Sequence, residues 1–285
     1  ALERAATDAG DLPLDVRIVA RTPEDVAEVL DAVGEVLAGG AEIKQKTGVS
    51  RIARLGVFDK RSHVAEDALW RALATGAAER FPAAELVGGT RAHFTELNRQ
   101  QERIGRNGSA LAFSITPQMH DLGRDQVIES VPMQRLVARQ AVGFADSCPV
   151  HIGPVTLRSR YNAVATSAPL VGDSPDVAGG YGAQHVRAAT DPRQKSRGFA
   201  AWTVASATAL AVPGVASIAY GEAWGPRGLA SVDGSEVYPV ATTLGWLAGI
   251  TGWELREITG DLPPKLSLLA ATDGRRVQLL LANLD

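Results

Sequence analysis

The sequence predicts an α/β protein of the (β/α)8 TIM-barrel type, on three observations. Strand-like and helix-like segments alternate along most of the 285 residues, as they do when a parallel sheet is joined by helical crossovers. Polar residues suited to chemistry recur just past the ends of the strand-like segments, where barrels bind their substrates. Neither G-x-G-x-x-G nor G-x-x-x-x-G-K-[ST] occurs, so the glycine-rich first turn that marks a nucleotide-binding doubly wound sheet is missing.

Taken in order, the chain opens in a helical pattern with Leu2, Ala5, Ala6 and Ala9 on one face and no N-cap before them. Leu14 to Ala20 is the first strand. Thr22 caps the next helix, Pro23 takes its first position, and Glu24 and Asp25 complement its dipole. Arg51 to Phe58 is the second strand, and a helix follows over about Ser62 to Ala78. The third strand starts at Ala84 to Gly88 and leads into the segment holding Glu96; Leu111 to Ile115 is the fourth. A helical stretch from about Asp125 to Ala145 is expected to break at Pro132, which has no amide hydrogen for the helix ladder. Val150 to Gly153 is the fifth strand, opening a loop of about 40 residues to Ser196, and loops of that length are commonly functional.

Residues 199 to 221 carry no charge, and Pro213-Gly214 divides that region into a helix over about Gly198 to Val212 and a sixth strand, Val215 to Tyr220. We expect this strand to be fully buried, because parallel strands covered on both faces read as unbroken apolar runs. A helix over about Val237 to Ile250 precedes a Pro263-Pro264 linker, and Asp273-Gly274 between two apolar runs signals a hairpin. The expected organisation is a barrel domain over residues 1–258, lacking its first strands, then a linker and β-hairpin of a C-terminal β-sandwich over 259–285. The uncapped first helix, the lack of an initiating Met and the terminal hairpin lead us to expect a segment of a longer protein.

Composition narrows the function. A net charge of -3, with both signs mixed along the chain and no basic stripe, argues against nucleic acid as a partner. Mean hydropathy is -0.01, and the uncharged run is rich in Ala, Ser and Thr and interrupted by Pro-Gly, so no membrane span is expected. One cysteine, Cys148, rules out an internal disulfide and a multi-cysteine metal site and reads as a buried, inert thiol. A reducing, cytoplasmic setting fits it. Nothing here fixes an oligomeric state.

Glu222 ends the uncharged run, just past the sixth strand, and Glu96 stands similarly after the third. Two strand-end carboxylates suit acid/base or nucleophilic chemistry. His120, shortly after the fourth strand, is the best-placed histidine for general acid/base work. Asn98 after the third strand, Gln118 after the fourth, Arg158 and Arg160 after the fifth and Tyr220 at the end of the sixth suit a hydroxylated or anionic small molecule. His93, Glu96 and His120 form a possible two-histidine, one-carboxylate metal set, but no H-x-x-x-H or H-E-x-x-H spacing supports it, so no metal or other cofactor is expected. His63 and His185 read as surface residues and Trp202 as core. G-x-S-x-G is absent, which argues against a serine-nucleophile hydrolase. Two functions fit these residues: a glycoside hydrolase using the two glutamates, and a non-catalytic carbohydrate-binding barrel.

The stretches VGGTRAHFTELNR (87–99), SITPQMH (114–120), PVHIGPVTLRSRYN (149–162), DPRQ (191–194) and ASIAYGE (216–222) make the sequence resemble the barrel domain of the D-apionate lactonase family, a glycosidase-like group acting on a branched sugar acid. The resemblance implies hydrolysis of a five-membered sugar-acid lactone, with Glu96, Asn98, His120, Arg158, Arg160 and Glu222 lining the site. It also implies a small sugar acid or its lactone as the partner molecule.

Overall fold

A computed structural model describes residues 2–38, 52–104, 108–119, 121–159, 190–223, 225–231, 233–263 and 265–285, without the side chains of Arg4 and Ala38. The elements are α1 (Leu2–Ala9), β1 (Leu14–Ala20), α2 (Pro23–Ala38), β2 (Ile52–Asp59), α3 (Asp67–Arg80), β3 (Glu85–His93), α4 (Phe94–Arg99), β4 (Ala110–Ile115), α5 (Arg124–Phe144), β5 (Val150–Val155), a short 3-10 helix (Pro192–Lys195), α6 (Arg197–Leu210), β6 (Val215–Tyr220), α7 (Pro239–Gly249), β7 (Glu254–Arg256), β8 (Leu266–Thr272) and β9 (Val277–Asn283). The first six strands follow one another in the sheet in sequence order, and the last three form a separate antiparallel sheet. Consecutive order with no reversal is the arrangement of a (β/α) barrel, whereas a doubly wound sheet reverses its order at a switch point.

Two compact units divide the chain, residues 1–114 with 145–150, and residues 115–144 with 151–285. In the first, β1 pairs in parallel with β2, β2 with β3 and β3 with β4. Helix α2 starts with a reciprocal cap: the amide of Asp25 donates to Thr22 Oγ1 at 3.3 Å, and Asp25 Oδ2 accepts from the amides of Arg21 and Thr22 at 2.8 and 3.1 Å. Those two backbone bonds hold the Asp25 carboxyl below its usual range. The apolar face of α2 (Val26, Leu30, Val33, Leu37) packs with Leu69, Trp70 and Leu73 of α3 and with Ile52, Leu55 and Val57 of β2 to form this unit's core. At Gly89 (φ +92°) an added Cβ would lie 2.3 Å from the carbonyl oxygen of Ala112, so β3 approaches β4 more closely there than a side chain permits.

In the second unit the uncharged run becomes α6, capped by Ser196 Oγ on the amide of Phe199 at 3.0 Å. The helix buries Phe199, Trp202, Val204, Ala205 and Leu210, and Trp202 Nε1 donates to the Val127 carbonyl at 2.8 Å. Trp202 is core, as expected. Three other expectations are corrected. Helix α5 runs unbroken through Pro132, because the ring lies on the exposed face, where water can serve the carbonyl that lost its donor. Strand β6 is only partly buried, with Ala216 and Ala219 exposed, because among the described residues it is the last strand in the sheet order, with a neighbour on one side. The Asp273-Gly274 turn joins β8 to β9 as expected, with Asp273 Oδ1 accepting from the amides of Arg275 and Arg276 at 2.9 and 2.8 Å. Strand β7 pairs with β8, so the second sheet begins at Glu254. Cys148 is half-buried rather than buried.

Candidate active site

The sequence-predicted groups fall into two clusters, one in each unit. In the first unit β3 extends to His93, and Glu96 sits on the short helix α4. Its side chain is buried, accepting from Arg99 Nη1 and from Gln100 Nε2, both at 3.1 Å. Gln100 Nε2 also donates to the Ser62 carbonyl at 3.3 Å, which ties the helix to the turn after β2. Asn98 lies on the exposed face of α4, where its Oδ1 accepts from Gln101 Nε2 at 3.0 Å.

His63 corrects a sequence-based expectation: it is half-buried, with a left-handed φ of 64°. Its carbonyl accepts from Thr90 Oγ1 at 2.7 Å and from the Arg91 amide at 3.0 Å. Arg91 Nε donates to its Nδ1 at 3.1 Å, which leaves the proton of the neutral ring on Nε2. Burial, then the Arg91 charge, pushes the imidazole below its usual range, with Glu96 acting in the opposite direction. The signal missed in the sequence was the arginine, which lies 28 positions further on.

The second unit collects Gln118, Arg158, Asp191, Arg193, Tyr220, Glu222 and Arg227. Strand-end residues Gln118 and Arg158 form a parallel bridge. Both ends of the Gln118 amide are engaged: Nε2 donates to Asp191 Oδ2 at 3.1 Å, and Oε1 accepts from Arg193 Nη2 at 2.9 Å. Tyr220 turns its hydroxyl inward to donate to Ser206 Oγ at 2.9 Å, and Ser206 donates to Gln134 Oε1 at 2.5 Å. Burial pushes the Tyr220 phenol up, so it stays protonated.

Glu222 is held by its backbone, donating to the Arg227 carbonyl at 3.2 Å and accepting from the Leu229 amide at 3.1 Å. Its Oε1 meets Arg227 Nη1 at 3.4 Å. Its Oε2 is buried and has no hydrogen-bond partner among the described residues. Arg227 is itself buried and donates to the carbonyls of Arg158 (3.1 Å) and Ser159 (2.7 Å). One guanidinium thereby joins the segment after β5 to the carboxylate after β6. A carboxylate oxygen with no donor among the described residues, next to a fixed cation, can take a proton from a bound water or accept a hydroxyl group from a ligand.

Of the nearby cavities, the one beside Arg193, lined by Leu157, Phe199, Trp202 and Leu284, is apolar and is bordered by neither Glu222 nor Arg158. Sequence reasoning missed Asp191 and Arg193, although Asp-Pro at the start of a short helix is a legible cap signal. His120 and Arg160 lie outside the described residues. Among those described, no three His, Cys, Asp or Glu side chains are grouped to hold a metal ion, and no helix is long and apolar enough to cross a membrane.

Consecutive parallel strands, with carboxylate, amide and guanidinium groups gathered past their C-terminal ends, define the (β/α)-barrel class of α/β proteins. The model of a family described as "D-apionate lactonase, TIM barrel domain" matches residues 1–252, and the chain belongs to that family. A D-apionate lactonase from Brucella anthropi is 28% identical over 186 residues, which cover 61% of this chain and 29% of that protein. The chain thus spans less than a third of this curated relative. The α-L-arabinofuranosidase from Thermotoga maritima, in its arabinose complex, has a TM-score of 0.55 over 99% of this chain and 63% of that one; at 9% identity this is a likeness of fold alone.

Proposed function

We propose that this chain carries the hydrolytic site of a sugar-acid lactonase acting on a small five-membered lactone of the D-apionate type. The observation that carries the reading is the buried Glu222 Oε2 at the end of β6, which has no donor among the described residues. Family membership supports it, as does the name of the Brucella relative.

In this reading Glu222 takes a proton from water as the water oxygen attacks the lactone carbonyl. The carbonyl π electrons move onto oxygen, and a guanidinium, for which Arg158 is the candidate, stabilises that charge. The oxyanion then re-forms the carbonyl, the ring C–O bond breaks, and the leaving oxygen receives a proton to give the hydroxy acid. His120 is proposed to supply that proton and Arg160 to contact the sugar hydroxyls; Glu96 and Asn98 are proposed as functional residues of the first unit. Gln118 and Tyr220 support the site through their buried hydrogen bonds. All the electron movement takes place at a carbonyl next to a base, so the reading requires no cofactor.

The test is a panel of five-membered aldonolactones and p-nitrophenyl glycosides, assayed with the full chain. Opening of the lactones with no release of nitrophenol is expected. Nitrophenol release with inert lactones would transfer the site to glycoside hydrolysis, and binding of aldonates without turnover of either would make it a carbohydrate-binding module.

A further inference from the structure

Among the described residues of the second unit Asp191 is the most heavily engaged polar side chain, and its role goes beyond the proposed reaction. Its side chain is 1% exposed. Oδ1 accepts from the amide and the Nε of Arg193, both at 2.9 Å. Oδ2 accepts from Arg193 Nη2 at 2.8 Å and Gln118 Nε2 at 3.1 Å, and pairs with Arg158 Nε at 3.2 Å. The last contact is an ion pair and not a hydrogen bond. Arg193 Nη2 also reaches Gln118 Oε1 and the Leu122 carbonyl, at 2.9 and 2.8 Å, closing the network. Burial alone would push the Asp191 carboxyl up; the bonds from Arg193 and Gln118 outweigh it and hold it at about 2. The carboxylate is therefore charged at any working pH.

Among the described residues the charges do not balance. One carboxylate faces two guanidinium groups, and Arg193 uses its fork on Asp191 while Arg158 presents only its Nε edge. Among the described residues no acceptor takes the Nη atoms of Arg158. A guanidinium steered through one nitrogen, with its other two left over, is arranged to bind an oxyanion or carboxylate.

We propose that Asp191 is a positioning residue: its buried carboxylate holds Gln118, Arg193 and Arg158 in one frame and reserves the Arg158 Nη atoms for a carboxylate or oxyanion ligand. The lactone as the source of that oxyanion rests on the function proposed above; the frame itself does not.

The experiment uses the full chain with erythronolactone and its open acid, erythronate, as probes. In ¹⁵N NMR of the ligand-free wild type, the Nε protons of Arg158 and Arg193 should exchange at least about tenfold more slowly than that of the exposed Arg71. Asp191→Asn should lower erythronate affinity and kcat/KM by about ten- to a hundredfold, and Arg158→Met should do the same. The double variant should be no worse than Arg158→Met to within about twofold, because the aspartate acts through the arginine. Losses that multiply in the double variant would overturn the proposal, as would Nε exchange for Arg158 as fast as for Arg71. The exchange measurement needs no variant, so it decides the frame even if Asp191→Asn does not fold. If the wild type leaves the lactone intact but the exchange and affinity results hold, the lactonase reading fails and the frame stands.

Discussion

Glu222 and His63 illustrate how much at the residue scale depends on a single donor. Glu222 has one oxygen near Arg227 and one with no partner among the described residues. Replacing it by Gln keeps the shape and a hydrogen-bonding group but removes the proton acceptor. We expect Glu222→Gln to lower kcat on an aldonolactone by at least about a hundredfold, with thermal stability nearly unchanged, since Arg227 keeps its bonds to the carbonyls of Arg158 and Ser159. Wild-type turnover in this variant would remove Glu222 from the chemistry. Burial, then the Arg91 charge, pushes the His63 imidazole below its usual range. The ring, followed by NMR, should titrate below 6.5, and Arg91→Met should raise the midpoint. Because the folded pKa is depressed, this stabilising contribution is complete above the unfolded value and is lost as pH falls through the folded one.

At the scale of elements the sequence was readable wherever local chemistry decides. The Thr22-Pro23-Glu24-Asp25 start of α2, the strand preceding it and the Asp273-Gly274 turn all appear where their residues place them. The failures share a cause, namely surroundings supplied from elsewhere in the chain. Pro132 was expected to split α5, but whether a missing amide breaks a helix depends on which face meets water. Replacing this exposed proline by Ala should restore one ladder bond and stabilise the protein by about 1–3 kcal/mol, seen as a higher denaturation midpoint. Gly89 makes the opposite case. Its φ of +92° and the 2.3 Å approach to the Ala112 carbonyl leave no room for a methyl group, so Gly89→Ala should destabilise by at least about 2 kcal/mol in urea unfolding. A variant as stable as the wild type would show that β3 and β4 can separate without cost.

For the whole molecule, the acid limb of the stability curve should carry the signature of Asp191. The folded carboxyl titrates at about 2 against 3.8 unfolded. Its contribution, about 2 kcal/mol, is thus fully present above 3.8 and is lost as pH falls through 2. Asp191→Asn should flatten stability across that window, measured by urea unfolding at successive pH values. An unchanged acid limb would mean that the aspartate stays organised in the unfolded chain. Taken alone, the sequence determined the alternation of strands and helices, the barrel class, the family and the carboxylate at the end of β6. These follow from local propensity, from periodicity and from distinctive short stretches, all of which are properties of neighbouring residues. Tertiary structure decided which polar groups are engaged and which remain open. Gln118, expected to meet substrate, is engaged at both ends by residues more than 70 positions away. The Tyr220 hydroxyl is engaged by Ser206, and Asp191 becomes a shared anchor. A hydrogen bond depends on ångström distances between groups that folding brings together, and sequence spacing does not encode those distances.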